Sequence, residues 1–164
     1  MAPRLALAVV LQVTFFTSAV AAERRPAAKS RAASEWHQWR GEARDGISPD
    51  SGLLAQWPSE GPPLAWKAAG LGRGFSSISI ADGRIFTMGD REAGQFAIAL
   101  NLADGKELWS TRVSDAWEPQ GYAGPRATPT IDGQFVYTIS PHGDLVCLAA
   151  ATGKEVWHRN LKSD

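Results

Sequence analysis

The sequence predicts an all-β fold: an incomplete β-propeller of about two four-stranded antiparallel blades plus a terminal strand, behind an N-terminal signal peptide. Three observations predict it. Gly105-Lys106-Glu107-Leu108-Trp109 recurs as Gly153-Lys154-Glu155-Val156-Trp157, an offset of 48 residues. Short apolar stretches between the anchors also match: Ile85-Phe86-Thr87 with Val136-Tyr137-Thr138, and Ile98-Ala99-Leu100 with Val146-Cys147-Leu148. The 164 residues include 16 Gly and 7 Trp but only 2 Met, turn formers and rigid aromatics that favour short strands over helices. Self-similarity at about 20–50 residues marks solenoids and propellers, and four strands per unit favours the propeller.

The elements follow in chain order. Met1 to Arg4 is a short basic start, Leu5 to Phe16 an apolar run, and Ala19 and Ala21 give a small-residue cleavage pattern. Residues 1–22 therefore read as a secretory signal peptide. The run is short for a bilayer span, so the alternative is an uncleaved anchor, and no transmembrane segment is expected after cleavage. No cysteine follows the run, which argues against a lipid anchor. Residues 23–34 carry Arg24, Arg25, Lys29 and Arg31 without hydrophobic period and read as a flexible linker. The repeat region is expected over 35–164, with blades at about 76–113 and 127–161.

In the first blade the strands are expected at Ser76–Ile80, Arg84–Met88, Gln95–Leu100 and Glu107–Val113. Asp82-Gly83 and Asp104-Gly105 form tight turns, since Gly accepts positive φ freely, and Gly89 to Gly94 forms a loop. The second blade repeats this at Ala127–Ile131, Gln134–Ile139, Asp144–Leu148 and Glu155–Leu161, turning at Asp132-Gly133 and Thr152-Gly153. Pro129 suits an innermost strand with one free edge. Trp66 lies 43 residues before Trp109 and reads as the tail of an earlier unit.

Composition narrows the function. Seventeen basic residues balance 17 acidic ones, which removes any general case for a nucleic-acid binder. The single cysteine, Cys147, excludes an intrachain disulfide framework and a cysteine-only zinc site.

Leu148-Ala149-Ala150-Ala151-Thr152-Gly153-Lys154-Glu155-Val156-Trp157 resembles the tryptophan-docking motif of the pyrroloquinoline-quinone (PQQ)-like β-propeller repeat family, roughly Ala-x-Asp-x-x-Thr-Gly-x-x-x-Trp. The opening Trp36-His37-Gln38-Trp39-Arg40-Gly41, with Arg44 to Pro49, is similar to the start of secreted bacterial members. The resemblance implies that Trp66, Trp109 and Trp157 are structural docking residues. Each would stack on the turn of the following repeat, at Gly105 or at Thr152 and Gly153. Ala149 and Asn101 stand where Asp is usual, Asp104 where Thr is usual and Cys147 where Ala is usual. These departures are expected to weaken turn hydrogen bonds and spare the packing.

A propeller needs at least about four blades. At about 43–48 residues each these exceed the whole 164-residue chain. An N-terminal fragment of a longer protein is therefore expected, with ring assembly from several chains or a truncated product as alternatives.

Up-and-down strands sort the connections into two faces. One holds the tight Asp-Gly and Thr-Gly turns. The other holds Leu71 to Phe75, Asp90 to Glu92, the long connector Ser114 to Arg126, and Pro141 to Asp144. Long loops on rigid scaffolds commonly bind, so candidate binding residues are Arg73, Phe75, Arg91, Trp117, Tyr122 and Arg126. Arg73 and Arg126 suit a carboxylate ligand or, as the alternative, internal salt bridges. Trp117 and Tyr122 offer rigid contact area, or fold inward as a plug. His142 with Asp144 is expected to be a loop histidine rather than a metal site, and Asp90 with Glu92 a solvated acidic loop rather than a calcium site. Gly70-x-Gly72-x-Gly74 lacks the βαβ context of a dinucleotide fingerprint. No catalytic or metal-ligating set emerges.

Two functions remain. The first is an exported, periplasmic or secreted, binding or scaffold module without catalytic site or evident cofactor, taking a protein, peptide or glycan at the loop face. The resemblance also implies the alternative: the N-terminal part of a quinoprotein dehydrogenase, with PQQ and calcium oxidising an alcohol or sugar.

Overall fold

Alternating apolar residues between glycine-rich turns build eight strands and no helix among the described residues. The computed structural model describes residues 35–164 except 93, 119 and 120. The expected signal peptide and linker lie outside the described residues. The first sheet comprises β1 (Ser79–Ala81), β2 (Arg84–Arg91), β3 (Gly94–Asn101) and β4 (Glu107–Asp115). The second comprises β5 (Thr130–Asp132), β6 (Phe135–Ile139), β7 (Asp144–Ala149) and β8 (Glu155–Asn160). Each is an antiparallel meander in sequence order, giving two blades of an incomplete all-β propeller.

One hairpin turn forms as the sequence predicts, and two local differences from the expectation have clear causes. Asp82 and Gly83, at φ 50° and 69°, form the first two-residue hairpin, because Ala81 pairs with Arg84. In the second blade Asp132 itself pairs with Phe135, so the turn moves one residue on, to Gly133 and Gln134. The expected loop from Gly89 is strand as far as Arg91. Arg73 and Asp90 exchange main-chain hydrogen bonds of 3.0 and 2.8 Å, which holds the backbone extended and leaves a tight turn through Glu92, at φ 51°.

The core lies between the sheets. Phe86, Ala81 and Ala99 of the first blade meet Ile131, Val136 and Ala150 of the second. Met88, Ala97 and Val113 meet Val146 and Leu148. Trp109 packs against both groups. The far face of the first sheet is covered as well: Ile85, Ile98 and Leu100 pack on Trp66, Ala68 and Leu71. The far face of the second sheet is open, with Trp157 39% exposed. Burial of β2 on both faces explains its nearly continuous buried run, whereas β8 is exposed along almost its whole length.

Pro129 is fully buried and immediately precedes β5, an edge strand. There its missing N–H interrupts no ladder. The inner edges are joined by the segment before the blades. Trp36 and Ile80 exchange two main-chain hydrogen bonds of 2.8 Å, and His37 O accepts from Ile131 N–H at 2.8 Å. One short stretch thus satisfies backbone groups on both innermost strands, which would otherwise be exposed edges.

Candidate functional site

The tryptophans at the repeat spacing make like contacts where a following turn is present. Trp66 Nε1 donates to Leu102 O at 3.1 Å, and Trp109 Nε1 donates to Ala150 O at 3.0 Å. Each ring lies flat on a turn glycine. A Cβ on Gly105 would stand 2.5 Å from Trp66 Cε3, and one on Gly153 would stand 2.5 Å from Trp109 Cε3. Thr111 Oγ1 adds a 2.7 Å bond to Gly153 O. Among the described residues Trp157 meets no such turn, and it packs on Tyr137 with ring centroids 6.0 Å apart.

The expected loss of turn bonds at Asp104 does not occur. Its Oδ1 accepts from Lys106 N–H at 3.1 Å, the same bond that Thr152 Oγ1 accepts from Lys154 N–H at 3.3 Å. Asn101 Oδ1 likewise accepts from Ala103 N–H at 2.8 Å. Only Ala149 lacks a side-chain acceptor. The main-chain bond common to both turns remains there, with Gly153 N–H donating to Ala149 O at 2.8 Å as Gly105 N–H donates to Asn101 O at 2.9 Å.

On the loop face the organising group is Asp90, and it is not a solvated loop residue. It is 3% exposed. One carboxylate oxygen accepts from Gln95 Nε2 at 3.1 Å and the other from Trp117 N–H at 2.9 Å. Its main chain holds Arg73. Asp90 therefore clasps both connectors, the one before β1 and the one after β4. Phe75 N–H donates to Pro125 O at 2.7 Å, and Gly124 N–H to Trp117 O at 2.8 Å. Gly72 has a purpose in this contact: a Cβ there would stand 2.3 Å from Asp90 O. Gly74 packs closely as well, since a Cβ there would stand 2.8 Å from Pro125 Cδ, whereas one on Gly70 would meet nothing within 4 Å.

The structure divides the six candidate binding residues. Arg73 pairs with Glu118, and Arg91 pairs with Glu107 at 2.7 Å. Trp117 turns towards the second blade, edge-to-face on His142 at 5.0 Å. His142 Nε2 lies 3.2 Å from Ala116 O, so this histidine fastens the connector to the β6–β7 turn. Phe75 and Tyr122 remain on the surface, 59% and 63% exposed, edge-to-face at 5.5 Å. The Arg126 guanidinium lies 6.0 Å from the Tyr122 ring centre and donates to Tyr122 O at 3.3 Å. The connector therefore acts in two ways: Trp117 anchors it, and Tyr122 faces solvent.

A polar cleft of about 430 Å³ opens beside this anchor, lined in part by Ser114, His142, Asp144, His158 and Asn160. Sequence reasoning singled out Asp144 without its partners. Its carboxylate accepts from Ser114 Oγ at 2.5 Å, Ser140 Oγ at 2.9 Å and Asn160 Nδ2 at 2.8 Å. It also meets His158 Nε2 at 3.1 Å. Burial pushes the Asp144 carboxyl up, but Ser114, Asn160, His158 and Ser140 outweigh it and hold the group well below the usual carboxylate range. The network staples β4 to the second blade. Serine and histidine both address the carboxylate rather than each other, so no nucleophile is activated. Among the described residues no group of three or more His, Cys, Asp or Glu side chains is placed to hold a metal ion. No helix among them is long and apolar enough to cross a membrane.

Residues 44–164 match the family described as outer membrane protein assembly factor BamB. The outer membrane protein assembly factor BamB of Aliivibrio fischeri is 35% identical over 95 residues, covering 56% of this chain and 24% of that protein. This chain thus spans about a quarter of that relative's length. Among solved structures, the quinohemoprotein alcohol dehydrogenase ADHIIG from Pseudomonas putida HK5 is similar at 24% identity and a TM-score of 0.47, covering 62% of this chain and 15% of that one.

Proposed function

The chain belongs to the outer membrane protein assembly factor BamB family of PQQ-like repeats, and from that premise we propose that it is a protein-binding propeller module of the bacterial envelope, with the loop face as its contact surface. One observation carries the choice of face. Phe75 and Tyr122 are held edge-to-face in solvent on backbone fixed at Pro125, Trp117 and Asp90. Large aromatics on pre-organised backbone lose little entropy on binding and are typical interface anchors. The opposite face carries tight turns. The relative's printed name, an assembly factor of the outer membrane, supports a protein partner and an envelope location. The test places a photoreactive residue at Tyr122 and, as control, at Asp82. A discrete protein adduct at Tyr122 and none at Asp82 is the expected result. Equal capture at both positions, or capture at Asp82 alone, overturns the choice of face.

The dehydrogenase alternative needs a quinone held with calcium. The described residues fit it poorly. Both oxygens of Asp90 are engaged by Gln95 and Trp117, and those of Asp144 by four donors. A titration with PQQ and calcium, read by quinone absorbance, is expected to show no saturable change.

A further inference from the structure

Three arginines at or near the loop face are neutralised from within. Arg73 pairs with Glu118, Arg91 with Glu107, and Arg112 with Asp115. Arg126 differs. Among the described residues it has no carboxylate in ion-pair reach, and its guanidinium is kept against Tyr122 by the ring and by the Tyr122 carbonyl. Beside it is a notch of about 270 Å³ lined by Arg126, Ala127, Ile139, Ser140 and Pro141. Its apolar wall includes Ile139, which is 40% exposed. The anion behind it, Asp144, is occupied by Ser140 and its other donors.

From this juxtaposition we infer that the notch is a subsite for a partner-protein segment in which a carboxylate adjoins a large apolar side chain. The apolar group would fill the space against Ala127, Ile139 and Pro141. The carboxylate would take the Arg126 guanidinium, whose fork suits bidentate pairing. The volume suits one large side chain. Arg126 is already partly immobilised, which lowers the entropic cost of using it. The inference rests on the protein-binding reading and adds the chemistry of the partner.

The experiment uses isotope-labelled full chain and two blocked peptides, acetyl-Gly-Phe-Asp-Gly-amide and its Asn counterpart, followed by amide chemical shifts. The Asp peptide is expected to bind about tenfold more tightly than the Asn peptide, as a charge-assisted hydrogen bond would give, with shifts centred on Ala127 and Ile139. Arg126→Gln is expected to bring the ratio to about one, and unchanged amide spectra elsewhere establish that it folds. Equal affinity of the two peptides, shifts away from the notch, no saturation at millimolar peptide, or a ratio that survives Arg126→Gln each overturns the subsite. A failed subsite with protein capture at Tyr122 intact leaves the protein-binding reading standing. Loss of capture at Tyr122 tells against that reading instead.

Discussion

Trp109 and Trp157 hold the same place in two copies of one motif, and their surroundings differ. Trp109 lies on Gly153 between two sheets, its indole N–H bonded to Ala150 O. Trp157 is 39% exposed and, among the described residues, its ring packs on Tyr137 of its own sheet. The motif therefore sets a tryptophan on the outer strand of each blade, and a following turn turns it into a wedge. The stabilisation belongs to the junction and not to the residue.

The sharpest way to break this comparison is to truncate each ring in turn. Trp109→Ala is expected to cost about 3–5 kcal/mol, as large core truncations do. Trp157→Ala should cost less than about 1 kcal/mol, as at a surface position. Urea unfolding of both variants checks this, and similar losses would remove the distinction. The turn side of the junction gives a second contrast. Gly153→Ala meets Trp109 at 2.5 Å in a left-handed backbone at φ +70°, and should cost about 2 kcal/mol or more. Gly133→Ala meets nothing within 4 Å at φ +53°, so it should cost only the left-handed strain, about 1 kcal/mol. Equal losses would show that strain, and not the ring contact, governs the turn glycines.

The docking glycines and tryptophans were legible because both partners recur at a fixed spacing and the contact is a property of the repeat. Asp90 was not. Asp90-Arg91-Glu92 reads as a solvated charged loop, and its burial depends on Trp117 N–H arriving from a connector 27 residues away and on Arg73 pairing with its main chain. The Asp144 network was hidden for a similar reason, since Ser114, Ser140, His158 and Asn160 converge on it from three connected elements. Asp104 looked like a loss because it departs from the motif, yet its side chain supplies the same acceptor as threonine. The bridge from Trp36 to Ile80 has no periodic pattern and could not be anticipated.

Asp90→Ala tests the clasp. It leaves Trp117 N–H and Gln95 Nε2 without their acceptor and should cost about 2 kcal/mol, with faster amide exchange across Gly72 to Phe75. An unchanged stability would place the hold on the connectors elsewhere.

The smallest effect is a pH dependence at the second staple. The Asp144 carboxyl is held below its unfolded value, so near pH 4 the unfolded chain binds more protons at this group than the folded one. The contribution to stability is present above about pH 4 and is lost as pH falls towards the depressed folded value. Asp144→Asn should flatten this part of the stability profile. A slope unchanged by the substitution would assign the acid sensitivity to other carboxyls.

The most direct test of the loop face as a binding surface keeps the photoreactive residue at Tyr122 and adds Phe75→Ala with Arg126→Ala. Protein capture and thermal unfolding are then measured on the same preparation. The account predicts that capture falls sharply while the melting temperature holds, because both side chains are exposed and neither lies in the junction core. A lowered melting temperature with unchanged capture per folded molecule would contradict it and make the aromatic connector a structural plug.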